Sequence, residues 1–395
     1  MDYVKVSLIV IISALSYWLL LEWSDFTDTT PSSKEVSSFI SPEEPNKSIK
    51  INDFNDSKDS LSILKPAPST EDSSLVGGNK TTSTKRPSFL IENEYLLLEI
   101  DSLTGNFVRS ELVALKGDGG EEIQLLGNRL LSDSSTGTYT ANSGYFSLND
   151  NKYLNPNFSS LNTLSMNDGK RLYVLNGENG GFSFIRKILI DEKSYSLSIE
   201  DVIGIKDESA LNEEVLPYVR IIRDGLAHNF EGSRLDNYTY LGPVFSTKTD
   251  TFNKVDFEDI AEQDFQEDSL GGWFALVQRY FVTAWVPPKE GTYKYQANKM
   301  SSGLFSLALT GQKVQVTNNS SVSFKNTLYV GPKYTEDLNS IHPDLGLVVD
   351  YGFLWWLGQP IYWLMVWGFG LLGNWGFAII FSTVILKLVL WPLSS

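Results

Sequence analysis

The side chains that could do chemistry in this chain are few. Its 395 residues include no cysteine, which excludes disulfides, thiolate zinc sites, thiol nucleophiles and cysteine-ligated iron–sulfur clusters. His228 and His342 are the only histidines, too few for a histidine-rich metal centre. The net charge is −16, and no basic patch of the kind that binds nucleic acid is visible. The sequence therefore offers isolated candidate residues.

One lysine is notable for its position. Residues 351–395 are the most apolar part of the chain, and Lys387 is their only charged residue. A charge in the middle of a membrane span costs about 2.5–3.5 kcal/mol on insertion scales, so an intramembrane lysine is a functional candidate. Lys387 also lies six residues before Leu393, close enough to the end of the segment for its ammonium to reach the lipid headgroups. Spacing alone leaves both roles open.

Two further groups of side chains could bind a ligand. The first is aromatic and comprises Trp273, Tyr280, Phe281 and Trp285. It could line a cleft for a peptide or a sugar, although its spacing favours the core of a β-sandwich. The second is acidic and comprises Glu258, Asp264, Glu267 and Asp268. It could bind calcium or a partner, but an acidic run is most simply a solvated surface.

The elements that position these residues begin with an apolar segment. Residues 1–23 are long enough for a membrane span and lack small residues suited to cleavage, which indicates an uncleaved signal anchor. Lys5 and the α-amino group precede the span, so the N-terminus is expected in the cytoplasm. Residues 24–87 are rich in Ser, Thr, Asp and Pro and predict a disordered tether outside the cytoplasm.

From residue 88 to residue 338 the pattern is that of a large β domain. Tyr195, Leu197 and Ile199 alternate with polar residues, as in a strand with one buried face. Similar runs are Leu96–Ile100, Phe182–Ile190, Tyr293–Tyr295, Leu304–Leu309, Val314–Val316 and Val322–Val330, with turn-forming residues between them, as at Asn176–Gly180. We predict a mainly β fold, a large sandwich with a short helix at Glu258–Phe265 and a connector at residues 339–352.

Two apolar segments follow, at residues 353–372 and 374–393. Each is about one membrane span long, and residues 351–395 hold six of the ten tryptophans, as expected near lipid headgroups. Gln359 and Pro360 interrupt the first segment, which also fits a helix lying along the interface. The sequence permits a hairpin of two spans or an interfacial helix followed by one span.

Four blocks of the sequence, in this order, resemble the YidC family of bacterial membrane protein insertases. They are GGWFALVQRYFVTAWVP at 271–287, LYVGP at 328–332, VDYGFLW at 349–355 and GNWGFAII at 373–380. The motif residues, expected to be structural, are Gly271, Gly272, Trp273, Gln278, Tyr280, Phe281, Trp285, Gly331, Pro332, Tyr351, Gly352, Asn374, Trp375, Gly376 and Pro392.

The resemblance implies a fold and a function. It implies a periplasmic β-supersandwich, related to galactose mutarotase, between an N-terminal transmembrane helix and an interfacial helix at 353–372 that leads into a second transmembrane helix at 374–393. Such proteins insert and fold nascent inner-membrane proteins among membrane lipids, alone or with the Sec translocon and its accessory SecDF complex. Neither an enzymatic activity nor a cofactor nor a metal is expected.

In this family a positive residue on the second span faces a hydrophilic groove open to the cytoplasm, and Lys387 falls at that position. The family usually has arginine there; a lysine would attract the substrate as a point charge. The other groove-forming helices do not occur before Ser395. We therefore expect an N-terminal portion that does not insert proteins by itself.

Two other functions stay open. A membrane-tethered periplasmic carbohydrate-active enzyme would need His228 or His342 to converge with a carboxylate for acid–base catalysis, as in the related mutarotase fold. A noncatalytic periplasmic adaptor of the Sec machinery would need only the anchor and an exposed partner surface.

Overall fold

The computed structural model describes residues 87–117, 120, 122–127, 129–130, 136–166, 169–206, 212–224, 240–318, 320–349 and 355–394. The predicted signal anchor and, apart from residue 87, the predicted tether lie outside the described residues, as do His228, Tyr351 and Gly352. The chain divides at residue 350 into two units. These are a β domain, described to residue 349, and a pair of helices from residue 355.

Strands dominate the β domain. The strands described are β1 (Ser88–Glu92), β2 (Leu96–Asp101), β3 (Phe107–Lys116), β4 (Glu122–Gln124), β5 (Arg129–Leu130), β6 (Thr136–Gly137), β7 (Tyr139–Ser147), β8 (Lys152–Leu154), β9 (Phe158–Ser165), β10 (Lys170–Asn179), β11 (Phe182–Asp191), β12 (Ser196–Ile205), β13 (Glu213–Arg223), β14 (Gly242–Ser246), β15 (Asn253–Lys254), β16 (Phe265–Leu270), β17 (Trp273–Val277), β18 (Phe281–Val286), β19 (Thr292–Lys299), β20 (Phe305–Thr310), β21 (Val314–Val316) and β22 (Val322–Pro332). The helical elements are α1 (Phe257–Glu262), α2 (Thr335–Ile341) and a 3₁₀ turn at Leu345–Val348.

These strands form two large antiparallel sheets. The first, called the large sheet, has 11 strands in the order β1-β2-β3-β7-β13-β20-β19-β16, with β4, β8 and β21 paired to β3, β7 and β13. The second, called the small sheet, has nine strands in the order β15-β14-β17-β18-β22-β12-β11-β10-β9. The strands β5 and β6 pair only with each other.

The core lies between the two sheets. The ring of Phe107 in the large sheet is 6.3 Å from that of Trp285 in the small sheet. Phe245 of the small sheet meets Tyr295 of the large sheet edge to face, also at 6.3 Å. Because full burial of such a side chain contributes about 1.5–3 kcal/mol, this layer stabilises the fold. The predicted β-sandwich is confirmed.

One predicted turn is wrong. The sequence predicts a turn at Asn176–Gly180, but β10 continues to Asn179, which pairs with Phe182. Only Gly180 and Gly181 form the loop, with φ of 61° and 84°. Two-residue hairpin loops prefer positive φ, which glycine adopts without strain. Pairing with β9 and β11 on both sides outweighs the turn preference of the Asn and Gly residues before the loop.

The helix predicted at Glu258–Phe265 is three residues too long. It ends at Glu262, and Phe265 begins β16, where its ring packs 4.5 Å from that of Phe245. Part of the predicted connector is also structured. The 3₁₀ turn buries Leu345 and Val348 completely.

The second unit is a helical hairpin of α3 (Trp355–Leu372) and α4 (Trp375–Ser394). Gly373, with φ of 63°, and Asn374 join the helices. The side-chain Oδ1 of Asn374 accepts hydrogen bonds from the backbone N–H groups of Gly376 at 2.8 Å and Phe377 at 3.3 Å, which caps α4. Within the part of the chain that the structure describes, no helix combines the length and apolarity needed to cross a membrane.

Candidate functional site

Lys387 lies on α4 in the helical hairpin, and its side chain is exposed. Apolar side chains near it are exposed as well, including Val384, Leu388 and Val389. The same holds for most of the hairpin, where the exposed apolar residues are Tyr362, Trp363, Val366, Trp367, Leu371, Leu372, Trp375, Phe377, Ile379, Ile380, Val384, Leu388, Val389 and Trp391. Exposed apolar surface this rich marks a membrane or protein contact.

Small residues bring the two helices together. Gly368 lies close to Ala378, which is fully buried, and the ring of Trp367 is 5.6 Å from that of Phe381. Phe369 stacks on Trp375 at 4.3 Å. Close packing through small residues is typical of helices in membranes. The hairpin therefore buries little and presents its large apolar residues outward.

The Gly271–Gly272 pair marks the corner where the chain passes from the large sheet to the small sheet. It connects β16 to β17, and the two glycines have φ of 62° and 97°. A Cβ atom at Gly272 would lie 2.1 Å from the backbone oxygen of Ser246. The Tyr295 hydroxyl donates a hydrogen bond to the Gly271 carbonyl at 2.7 Å. These contacts give the motif glycines a structural role.

The four aromatic residues of the same segment do not share a cleft. Trp273 and Trp285 are fully buried between the sheets. Phe281 is half-buried against the core, whereas Tyr280 is 63% exposed at the turn between β17 and β18. The structure places this group mainly in the core.

The acidic residues are dispersed. Glu258 lies exposed on α1, while Glu267 and Asp268 are consecutive residues of β16 and point to opposite faces of the sheet. Among the residues that the structure describes, no three histidine, aspartate or glutamate side chains are grouped so as to hold a metal ion.

His342 is partly buried at the end of α2. Its Nδ1 accepts a hydrogen bond from the Asp344 backbone N–H at 3.3 Å and lies 3.9 Å from the Asp344 carboxylate. Burial lowers the pKa of His342; Asp344 opposes this effect, and Lys289 adds to it. His342 therefore has a structural contact with Asp344. His228 lies outside the described residues.

A polar surface that the sequence reasoning missed lies on the large sheet. On β13, Val219 and Ile221 face the core, so Arg220 between them faces away from the small sheet. Neighbouring strands bring further polar side chains to this face. We call it the outer polar face and define it by Asn142, Arg220, Gln266, Gln296, Asn298 and Ser306.

The outer polar face is built by strand register. Arg220 pairs with Asn142 of β7 on one side and Ala308 of β20 on the other. Gln296 of β19 pairs with Ala308 and with Gln266 of β16. Asn142, Arg220, Gln296, Asn298 and Ser306 are all less than 10% exposed. This burial is unusual for polar side chains, which are otherwise mostly exposed.

Several polar atoms of this face have no hydrogen-bond partner. They are Nε of Arg220, Oε1 of Gln266, Nδ2 of Asn298 and Oγ of Ser306. A buried polar group without a partner costs about 1–3 kcal/mol, and more when it is charged. Protein atoms enclose these groups, and other unpartnered buried atoms, such as Nε1 of Trp273 and Oγ1 of Thr283, lie on the small sheet.

Comparisons with known proteins agree on one family. The family model of the YidC periplasmic domain matches residues 89–364. A membrane protein insertase YidC of Ectopseudomonas mendocina is 30% identical over 448 residues, with 100% of this chain and 71% of the relative covered. A membrane protein insertase YidC of Cellvibrio japonicus is 30% identical over 409 residues, with 100% of this chain and 70% of the relative covered.

The β domain is also similar to solved structures. A galactose mutarotase-like protein of Lactobacillus casei superposes with a TM-score of 0.36 at 6% identity, covering 62% of this chain and 100% of that protein. A likeness of this degree carries no functional argument. The family model and the relatives that align along the whole chain show the family: the chain belongs to the YidC family of membrane protein insertases.

Proposed function

We propose that this chain takes part in inserting and folding nascent inner-membrane proteins, with its β domain in the periplasm and its helical hairpin in contact with lipid. Family membership supports the insertase role, since relatives named as insertases align with this chain over about 70% of their length. The observation that carries the membrane role is the exposed apolar surface of α3 and α4. The division into an interfacial helix at 353–372 and a span at 374–393 stays a prediction.

The most exposed apolar side chains of the described residues lie on the hairpin. Trp363 is 76% exposed, Trp391 is 67% exposed and Val389 is 65% exposed. Transferring each such side chain from water to an apolar environment contributes about 1.5–3 kcal/mol. Several of them together favour lipid strongly over water. Tryptophan suits the headgroup boundary in particular, because its ring is apolar and its N–H is polar.

Lys387 is proposed to attract polar or acidic parts of the incoming chain. Its ammonium group is the only charge on the hairpin and lies among apolar side chains. Two opposite charges 4 Å apart attract by about 1 kcal/mol in bulk water and about 4 kcal/mol where the effective dielectric constant is near 20. The apolar surroundings therefore strengthen the attraction. The groove, the Sec translocon and the SecDF complex rest on the family resemblance.

The test uses cells depleted of their own insertase and supplied with this protein. Lys387→Ala should reduce membrane insertion of an inner-membrane client, measured by protease protection, and Lys387→Arg should retain it because the charge remains. Lys193→Ala is a matched control, since Lys193 is an exposed lysine of the β domain paired with Glu94 at 3.7 Å. If Lys387→Ala inserts the client as well as Lys193→Ala, headgroup contact is the better account of Lys387.

A further inference from the structure

The strand β9 lies at one end of the small sheet and has a side that no described strand covers. Within the described residues only β10 pairs with it. At its start, the backbone N–H of Phe158 donates to the Ser102 carbonyl at 2.6 Å. Residues 162–165 are exposed, and Leu164 is 57% exposed. The part of β9 that follows Phe158 is therefore an edge that another strand can reach.

The pairing with β10 determines which backbone groups face the open side. The Met166 N–H donates to the Lys170 carbonyl at 2.8 Å, so these two residues form a hydrogen-bonded pair of the antiparallel ladder. Hydrogen-bonded and non-hydrogen-bonded pairs alternate along such a ladder. Counting back along β9, Leu161, Thr163 and Ser165 are in non-hydrogen-bonded pairs with β10. Their N–H and C=O groups therefore point away from β10, toward the open side.

The strand β9 lacks the charges that protect a sheet edge. Its sequence, FSSLNTLS, contains no charged residue, no proline and no glycine. The other strands at the ends of the two large sheets do carry charges, which are Glu92 in β1, Lys254 in β15, and Glu267 and Asp268 in β16. Charged side chains on an edge strand oppose pairing with another chain, whereas a neutral edge permits it. Of these four strands, β9 is the one suited to accept a further strand.

The same edge of a second copy fits this edge. In an antiparallel pair with a two-fold axis at Thr163, Leu161 lies opposite Ser165 of the second copy, and Thr163 lies opposite itself. All three residues then exchange backbone hydrogen bonds across the interface. The chain carries a net charge of −16, but the paired strands bring no like charges together, because this segment is neutral.

We propose that two copies of this chain associate through their β9 strands, so that the small sheet continues from one copy into the other. A second copy is favoured over a different protein because one symmetric contact satisfies both open edges at once. The strand offers 8 residues, against about 20–30 on each side of a standard interface. The association should therefore be weak and depend on protein concentration. The proposal is independent of the insertase function.

The test is disulfide trapping of the full chain in lipid vesicles. The chain contains no cysteine, so a single introduced cysteine reports only its own contact. In the proposed register, Thr163→Cys places two thiols on residues whose Cα atoms are about 5.5 Å apart, which a disulfide can bridge. Asn162→Cys is the matched control, since the two Cα atoms at residue 162 are about 8 Å apart, too far for a disulfide. Under mild oxidation, Thr163→Cys should form covalent dimer about tenfold faster than Asn162→Cys, or faster still.

A second set of variants tests the register. Asn162 lies opposite Leu164 of the second copy, so a mixture of Asn162→Cys and Leu164→Cys chains should form a covalent dimer faster than either variant alone. Adding Thr163→Lys to both chains places two ammonium groups on the two-fold axis, and like charges directly opposite should slow this cross-link about fivefold. Thr163 is exposed, so the fold should be retained, which far-ultraviolet circular dichroism checks.

Three results would overturn the proposal. One is covalent dimer formation by Thr163→Cys that is no faster than by Asn162→Cys. Another is an unchanged rate of the cross-link between residues 162 and 164 in the folded Thr163→Lys chains. The third is cross-linking of Thr163→Cys to a different protein in cells without any dimer of the variant, because that result assigns the edge to another polypeptide.

Discussion

Replacing Arg186 with methionine should destabilise the β domain more than any surface change. Arg186 and Asp201 are opposite each other on β11 and β12 of the small sheet, and their side chains are 1% and 7% exposed. Nη2 of Arg186 donates to the Ser143 carbonyl at 2.9 Å and to the Ser143 hydroxyl at 2.8 Å. Ser143 is on β7 of the large sheet, and Nη1 also donates to the Gly105 carbonyl. This network therefore joins the two sheets.

The magnitude follows from what the substitution leaves behind. Methionine fills part of the space but leaves the Asp201 carboxylate buried, with the Ser143 hydroxyl at 2.6 Å as its remaining side-chain donor. Breaking a buried ion pair by removing one partner costs about 3–5 kcal/mol. The contacts of the guanidinium with the rings of Phe107 and Phe158, at 5.5 and 5.4 Å, are lost as well. We expect Arg186→Met to lower the free energy of unfolding by about 3–5 kcal/mol.

The assay is urea unfolding of the chain in detergent, followed by the far-ultraviolet circular dichroism of the β-strands. Lys187→Met is the matched control, because Lys187 is the next residue and pairs with Glu200 at 3.3 Å on the outer side of the sheet. Its side chain is 44% exposed, so this substitution should cost less than about 1 kcal/mol. If the two variants unfold within about 1 kcal/mol of each other, the reasoning on buried charge is wrong.

Two further predictions concern the corner of the sandwich and a histidine. Gly272→Ala should lower the melting temperature much more than Gly303→Ala. Both positions have positive φ, but a Cβ atom at Gly272 would lie 2.1 Å from the Ser246 backbone oxygen, whereas the space at Gly303 is open. Equal losses of melting temperature would contradict this steric reason. Since the pKa of His342 is lowered in the fold, its contribution to stability is present above the unfolded pKa of about 6.5 and is lost as the pH falls through the folded pKa. Melting curves between pH 8 and pH 5 should therefore show a smaller loss for His342→Gln than for the wild type, and parallel curves would refute this.

Local patterns in the sequence predict many of the strands. The alternation at Phe182–Ile190 gives β11 to within one residue, and the run at Val322–Val330 gives β22 to within two. Local patterns do not predict the order of the strands in a sheet, because that order depends on pairing between distant segments. The strands β13 and β20 pair although more than 80 residues separate them, and no local period encodes that contact. The sandwich could be predicted, but the order of its strands could not.

The family resemblance identifies the motif residues but does not show what each of them contacts. The resemblance picks out Gly271 and Gly272, but only the structure shows that the chain changes sheets there. Trp273 and Trp285 could have lined a cleft or filled the core; their burial places them in the core. A motif shows that residue types recur together. The contact that requires each residue becomes visible only when the neighbouring strand, here β14 with Ser246, is in place.

The outer polar face escaped the sequence reasoning because β13 is apolar on average. Arg220 stands between Val219 and Ile221, and an arginine inside such a run was the signal available. Arg186 stands in a similar run, before Lys187 and Ile188. The sequence does not distinguish the two arginines. The register of strand pairing distinguishes them, because Asp201 lies opposite Arg186 whereas Asn142 and Ala308 lie opposite Arg220. The same burial therefore gives Arg186 a carboxylate partner, whereas the side-chain contacts of Arg220 within the described residues are the neutral Tyr153 and Asn142.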